Sequence, residues 1–165
     1  MNLIVAVSEI YGIGKDNKLL FNLPMDLKYF KEKTQNKVVV MGRKTFESLP
    51  FKPLKNRVNI VITTDKEFHY EGIVVVNSFE ELFEKLKNYN DEDVFLIGGS
   101  SIYNKLMERC RLAYITKVHK KVDADTFITN IEKSPNWEEI NSSGILNEND
   151  LDFEFKIFEN QEIKK

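Results

Sequence analysis

Three short apolar runs end in small, hydroxyl or basic residues of the kind that hold phosphate. Val38-Val39-Val40-Met41 leads into Gly42-Arg43-Lys44-Thr45. Val58 to Ile62 leads into Thr63-Thr64-Asp65, and Val94-Phe95-Leu96-Ile97 into Gly98-Gly99-Ser100-Ser101. Each run is rich in β-branched residues and reads as a buried strand. Three such ends point to one anionic ligand across the carboxyl edge of a sheet, where open α/β sheets bind ligands. Two of the four arginines, Arg43 and Arg57, stand beside these runs. A guanidinium fork suits planar carboxylates and phosphates better than an ammonium does.

Gly98 to Tyr103 is expected to open a helix, and free N–H groups at a helix start suit a pyrophosphate. Ordinary serine capping is the alternative. There is no G-x-G-x-x-G with a ribose-holding acid about 20 residues on, and no Walker loop. The basic and hydroxyl groups instead favour a dinucleotide with an extra 2′-phosphate, hence NADPH over NADH. Gly12, Gly14, Gly42, Gly98 and Gly99 are expected at ligand-facing turns, where glycine lets a ligand approach the backbone.

The acid of interest is Asp26, in Phe21-Asn22-Leu23-Pro24-Met25-Asp26-Leu27-Lys28-Tyr29-Phe30. Pro24 suits the first helical position, with Asp26 near the third. One reading is an exposed acid that steadies the helix start by about 0.3–1 kcal/mol. The other is a lone carboxylate in an apolar cleft among Ile4, Phe21, Leu27 and Phe30. Burial raises a carboxyl pKa and a helix N-terminus lowers it. If burial wins, Asp26 can assist proton transfer near neutral pH.

The remaining chemistry-bearing residues read as structural. His69 and His119 lack metal-site spacing, so no metal is expected. No Ser–His–Asp set stands out. Cys110, the single cysteine, reads as a small core residue at a helix end. Trp137 reads as a packing anchor, and Lys52, Lys55, Lys120 and Lys121 as solvated surface.

Strands are expected at about 2–7, 38–41, 58–62, 73–76, 94–97, 112–118 and 153–158. Helices are expected at about 24–34, 43–49, 78–88 and 100–109. In the third helix Phe79, Leu82, Phe83 and Leu86 share one face. Strands alternating with helices imply parallel pairing through crossovers. Past residue 112 the helices stop, and two strands around a loop-rich 119–152 suggest an antiparallel hairpin closing one edge. The 165 residues suggest a single domain over 1–160, with 161–165 a frayed tail. Hydrophobic content of 42% and charged content of 30% are ordinary for a globular protein. A net charge of −2 argues against a nucleic-acid-coating protein. No apolar run approaches the ~20 residues of a membrane span, and the N-terminus reads as a strand rather than a signal peptide. A cytoplasmic monomer is expected.

Several stretches together carry a family resemblance. They are Leu3 to Val7, Gly12-Ile13-Gly14 with Asn17, Asn22 to Leu27, Phe30-Lys31 with Thr34, Val40 to Leu49, and Pro53-Leu54 with Arg57 and Asn59. Ile97-Gly98-Gly99 with Ile102-Tyr103, Tyr114-Ile115-Thr116 and Ala124-Asp125-Thr126-Phe127 continue the series. In order and spacing the chain resembles bacterial dihydrofolate reductases almost from end to end.

The resemblance implies a mostly parallel, eight-stranded α/β sheet with about four flanking helices and an antiparallel C-terminal strand. It implies NADPH-dependent reduction of 7,8-dihydrofolate to tetrahydrofolate, and binding of folate-like inhibitors. By similarity, Asp26 holds the pterin amino and ring N–H groups and promotes protonation of N5, Thr116 orients Asp26, and Phe21 completes the catalytic group. Ile4, Val5, Leu27, Phe30, Leu49 and Leu54 line the pterin and benzoyl slot, and Arg57 grips the glutamate carboxylate. For the cofactor, the resemblance assigns nicotinamide and pyrophosphate to Ala6, Ile13, Gly14, Asn17, Lys18 and Leu19, with Ile97, Gly98, Gly99, Ser100, Ser101, Ile102, Tyr103 and Thr126. It assigns the adenosine end to Gly42, Arg43, Lys44, Thr45, Ile62, Thr63, Thr64 and Asn77. The loop from Glu9 to Leu23 corresponds to a mobile lid.

Five departures stand out. Phe21 takes the place of the usual tryptophan and lacks its indole N–H. Leu19 and Leu20 replace a frequent Met and Pro, and Ser100 replaces a third glycine. Ile128 follows Phe127 in place of the common proline. Two rivals remain: a same-fold reductase of a riboflavin-pathway pyrimidine, which the Asp26–Arg57 combination disfavours, and a silent pteridine-binding module.

Overall fold

Valine and isoleucine runs build the centre of the fold, seen in a computed structural model that describes residues 1–164. In chain order the first half contains Asn2–Val7 (β1), Gly12–Lys15 (β2), Lys18–Leu19 (β3), Pro24–Thr34 (α1), Val38–Gly42 (β4), Arg43–Ser48 (α2) and Val58–Ile62 (β5). Next come Val74–Val76 (β6), Phe79–Leu86 (α3), Val94–Gly98 (β7), Ser100–Leu106 (α4) and Leu112–Val118 (β8). Thr126–Phe127 (β9), Trp137–Ser142 (β10), Leu146–Glu148 (β11) and Leu151–Asn160 (β12) follow.

The main sheet has the order β10-β12-β8-β1-β7-β4-β5-β6, with β11 on β12 beside this path. From β8 to β6 every neighbouring pair is parallel. The strand β12 runs antiparallel to β8 and to β10. The eight-stranded, mostly parallel sheet with four helices is therefore present as expected. In β4, Val38 and Val40 join the main core while Val39 and Met41 join a second cluster with Phe46 and Val61. A strand buried on both faces has no polar side to show, which is why it reads as a continuous apolar run. Each such side chain, fully buried, contributes about 1.5–3 kcal/mol.

The segment 119–152 was expected to be loop-rich, and here the structure differs. It contains β9, β10 and β11, and β10 lies outside β12 as the sheet edge. All but Trp137 in β10 are exposed, and its register shifts between Glu139 and Asn141. An irregular, exposed strand has no apolar alternation to betray it, and its charges discourage edge pairing with other chains.

A second, three-stranded sheet of order β3-β2-β9 forms where the lid loop was expected. Asp16 and Asn17 turn the β2–β3 hairpin with φ of 51° and 61°, as a tight hairpin turn demands. Gly12 is thus a strand residue and not a ligand-facing turn. A Cβ there would come within 2.7 Å of the Ala124 Cβ, so glycine is needed for the chain behind it.

The helices begin for different reasons. In α3, Ser78 caps the helix by accepting the Glu81 N–H at 3.1 Å, and Leu82 and Leu86 are buried. In α1, Pro24 takes the first position but the capping position is Leu23, which has no side-chain cap to offer. The fourth helix stops at Leu106 and tightens into a 3-10 turn, Met107–Arg109, before the fully buried Cys110. In the expected tail, the Gln161 N–H donates to the Asn136 carbonyl at 2.7 Å and the Lys164 N–H to Glu108 at 2.9 Å. Lys165 lies outside the described residues.

Candidate active site

The parallel strands deliver their carboxyl ends to one edge, and the expected site residues gather along it. The Thr116 hydroxyl on β8 donates to Asp26 Oδ1 on α1 at 2.6 Å. Thr116 is 2% exposed. Ala6 on β1 is the register partner of Thr116, and Ile4 of Tyr114, so Ile4 and Ala6 share the Asp26 side. Val5 alternates to the other face and packs on the main core. Its side chain is therefore turned away from the slot that the resemblance assigned to it.

Asp26 is a half-buried acid, not a freely solvated one. Burial pushes its carboxyl above the ordinary carboxylate range, the Thr116 hydrogen bond pulls it back, and nearby Glu148 pushes it up. This favours the cleft reading over the exposed one. Tyr29 stacks on Phe155 of β12 with ring centroids 4.1 Å apart, tying the helix to the sheet. Phe155 is the register partner of Thr116 on the opposite side from Ala6. Phe21 packs against Leu23, Val118 and Phe153. Phe30 is half-buried and Leu27 is 57% exposed.

The guanidinium of Arg57 lies 6.0 Å from the Phe30 ring centroid and donates to Thr34 Oγ1 at 3.1 Å and to the Lys55 carbonyl at 3.0 Å. No carboxylate pairs with it among the described residues. Leu49 and Leu54 pack on the second core cluster. Asn59, 1% exposed, accepts the Leu54 N–H at 2.9 Å. Its side-chain amide donates back to Leu54 O at 2.9 Å and to Arg57 O at 3.0 Å. One buried side chain thus sets the loop that carries Leu54 and Arg57. Asn59 and Thr34 were visible only as matched letters; a buried polar residue in an apolar strand was the available signal for Asn59.

Farther along the edge, Gly98 has φ of 127°, which favours glycine. A Cβ there would sit 3.3 Å from Thr45 Oγ1, and one at Gly99 3.4 Å from the same atom. The two glycines therefore bring bare backbone against Thr45 at the start of α2. The Tyr103 hydroxyl donates to the Ile4 carbonyl at 2.8 Å, joining α4 to β1. Ile62 and Ile102 pack into the main core, and Ile97 on the second cluster. The Asn77 side chain donates to the Thr63 carbonyl at 2.8 Å. Lys44, Thr64 and Ser101 are exposed, and Gly42 and Ser100 are half-buried.

Arg43 stacks over Phe68 at 4.8 Å and donates to Glu47 and Asp65, each at 2.8 Å. Asp65 closes the Thr63-Thr64-Asp65 strand end, and its pairing with Arg43, which strand-end reasoning did not show, places a carboxylate beside the cation expected to meet phosphate.

In the second sheet Ile13 is buried, Gly14 pairs with both Leu19 and Thr126, and Asn17, Lys18 and Leu19 are exposed. Asp125 Oδ2 accepts the Asp16 N–H at 2.9 Å, and Lys15 pairs with Asp123. These residues are brought beside the β9 segment and not against Asp26. Among the described residues no cluster of His, Cys, Asp and Glu could hold a metal.

Comparison with known proteins identifies the family of the chain. The family model described as dihydrofolate reductase matches residues 1–160. The dihydrofolate reductase of Bacillus subtilis is 37% identical over 100% of this chain and 97% of its own. That of Drosophila melanogaster is 36% identical over 96% of each chain. The solved dihydrofolate reductase from Enterococcus faecalis, complexed with NADP(H) and RAB-propyl, superposes with a TM-score of 0.85. It is 36% identical and matches 96% of this chain and 95% of that one. The chain belongs to the dihydrofolate reductase family.

Proposed function

We propose that this chain reduces 7,8-dihydrofolate to 5,6,7,8-tetrahydrofolate with NADPH, Asp26 serving as the acid of the site. The observation that carries the proposal is the Thr116–Asp26 hydrogen bond of 2.6 Å at the carboxyl edge of the sheet. NADPH, when bound, supplies the hydride taken up at the pterin C6. The imine nitrogen N5 must gain a proton, or the product would be an unstable anion. Asp26 holds the pterin amino and ring N–H groups by charge-assisted hydrogen bonds and favours that proton at N5, directly or through water. Thr116 fixes the carboxyl orientation. Arg57, already turned by Thr34 and Lys55, receives the glutamate carboxylate. The bare backbone at Gly98 and Gly99, with Thr45 beside it, suits the cofactor's phosphates. Arg43, Lys44, Thr63 and Thr64 receive the adenosine end with its 2′-phosphate.

Ile4, Leu27, Phe30, Leu49 and Leu54 supply the apolar walls, and the β2–β3 hairpin with its neighbours is the lid. As part of the same proposal the protein acts as a cytoplasmic monomer on small molecules, with no nucleic-acid or membrane partner. A net charge of −2 supports the nucleic-acid part. No helix among the described residues is long and apolar enough to cross a membrane.

Absorbance at 340 nm with both substrates tests the activity. Loss of NADPH absorbance that depends on dihydrofolate is the expected result. Tight binding of both compounds with no consumption would mark a silent pteridine-binding protein and end the proposal.

A further inference from the structure

The helix that carries Asp26 begins without a cap of its own. Leu23 offers no acceptor, and Pro24 has no N–H to give. The Asp26 N–H is already spent on the Leu23 carbonyl at 2.9 Å. The Met25 N–H is accepted from elsewhere: Glu148 Oε1, on β11, takes it at 2.9 Å. One residue on, the Asn149 side chain donates to the Asn22 carbonyl at 3.1 Å. The β11–β12 turn therefore clamps the segment immediately before the acid.

Glu148 is half-buried, and no cation lies within salt-bridge distance of it or of Asp26 among the described residues. A helix start carries partial positive charge that favours an ionised carboxyl. Here two acids share that one start. The groups facing Asp26 are the Thr116 hydroxyl from β8, the Tyr29 ring on its own helix, Tyr103 from α4, and Glu148 from β11. Of these only Glu148 brings a second carboxylate.

We infer that Glu148 is a positioning residue for the reaction: it caps the helix of Asp26 and places there a negative charge that keeps Asp26 able to hold a proton. Thr116 works in the opposite sense, because its hydroxyl donates to the ionised form and favours it. The inference rests on the reading of Asp26 as the site's acid. Neutralising Glu148 leaves Asp26 more readily ionised, so its proton is lost at lower pH.

The test compares the parent enzyme with Glu148→Gln, Glu148→Ala and Asp26→Asn. Hydride transfer is followed across pH, and the Asp26 carboxyl carbon is titrated by NMR in the ligand-free protein. Glu148→Gln keeps an acceptor for the Met25 N–H and removes only charge. Its rate profile and carboxyl titration should both move to lower pH. Above the midpoint its rate should fall about two- to fivefold, the effect of one carboxylate acting through a high effective dielectric. Glu148→Ala should move the same way and also lose thermal stability.

A Glu148→Gln profile that overlays the parent, with Asp26→Asn having erased the titration, would overturn the role of Glu148 alone. An Asp26→Asn enzyme that keeps the parental titration and rate would overturn both Asp26 as the acid and the inference built on it.

Discussion

Thr116 and Asp26, 90 residues apart in the chain, meet through a 2.6 Å hydrogen bond from hydroxyl to carboxyl. The bond joins the helix that opens the substrate side to β8, the strand beside β1 in the main sheet. Asp26→Asn retains an oxygen to accept it but cannot give up or take a proton. Turnover at neutral pH should fall by about 100-fold or more, in the range of a lost general acid. The NADPH dissociation constant should stay within about twofold. Steady-state rates beside fluorescence titration of the cofactor check this, and equal losses in both would remove Asp26 from its role.

The same substitution should stabilise the fold. Burial raises the Asp26 carboxyl in the folded protein, so its ionised form is disfavoured there. A group raised on folding contributes its stability below the unfolded pKa, about 3.9 for Asp, and loses it as pH rises through the folded value. Relative to Asn, native Asp26 is therefore a burden at neutral pH and none in strong acid. Asp26→Asn should gain about 1 kcal/mol at pH 7, a common exchange of stability against activity. The gain should vanish below pH 4. Urea unfolding at both pH values measures it.

Arg57 already has its fork oriented, one arm on Thr34 Oγ1 and another on the Lys55 carbonyl. Arg57→Leu should raise the KM for dihydrofolate about 10- to 100-fold, the loss of a charge-assisted hydrogen-bond pair. The KM for NADPH should hardly change. Unaltered folate affinity would place the glutamate tail elsewhere.

Arg43 is shared between Glu47 and Asp65 at 2.8 Å each. A phosphate arriving there competes with two carboxylates. Arg43→Ala should reduce the preference for NADPH over NADH about tenfold, one charge-assisted contact. Ratios of kcat/KM for the two cofactors give the answer, and an unchanged ratio would exclude Arg43 from the 2′-phosphate.

Gly12 tests the second sheet. A Cβ there would stand 2.7 Å from the Ala124 Cβ and 3.1 Å from Ser8 Oγ. Gly12→Ala should cost about 1–3 kcal/mol, the usual penalty of overpacking. Calorimetry should show a lower Tm, and the β2 amides should exchange faster with solvent.

The sequence showed its buried parts best. The parallel strands β4, β5 and β7 declared themselves because both faces are covered, and Pro24 marked a helix start by chemistry confined to one turn. Asp26 and Thr116 were legible through family spacing, whereas their contact depends on β8 lying beside β1. Strand β10 was hidden, since an exposed edge needs no apolar alternation. Val5 was assigned to the slot by the resemblance, yet the period of a strand sends its side chain to the opposite face. The contacts of Glu148 and Asp65 could not be read at all. Each matters through a partner far along the chain, Met25 and Arg43 respectively, and local pattern holds no record of such distances.

The first strand makes six register pairs with β8 but only two with β7. Its principal neighbour is therefore synthesised more than a hundred residues later. At the ribosome's pace of about 5–20 residues per second, Leu3 to Val7 must wait for several seconds as an unpaired, water-averse ribbon.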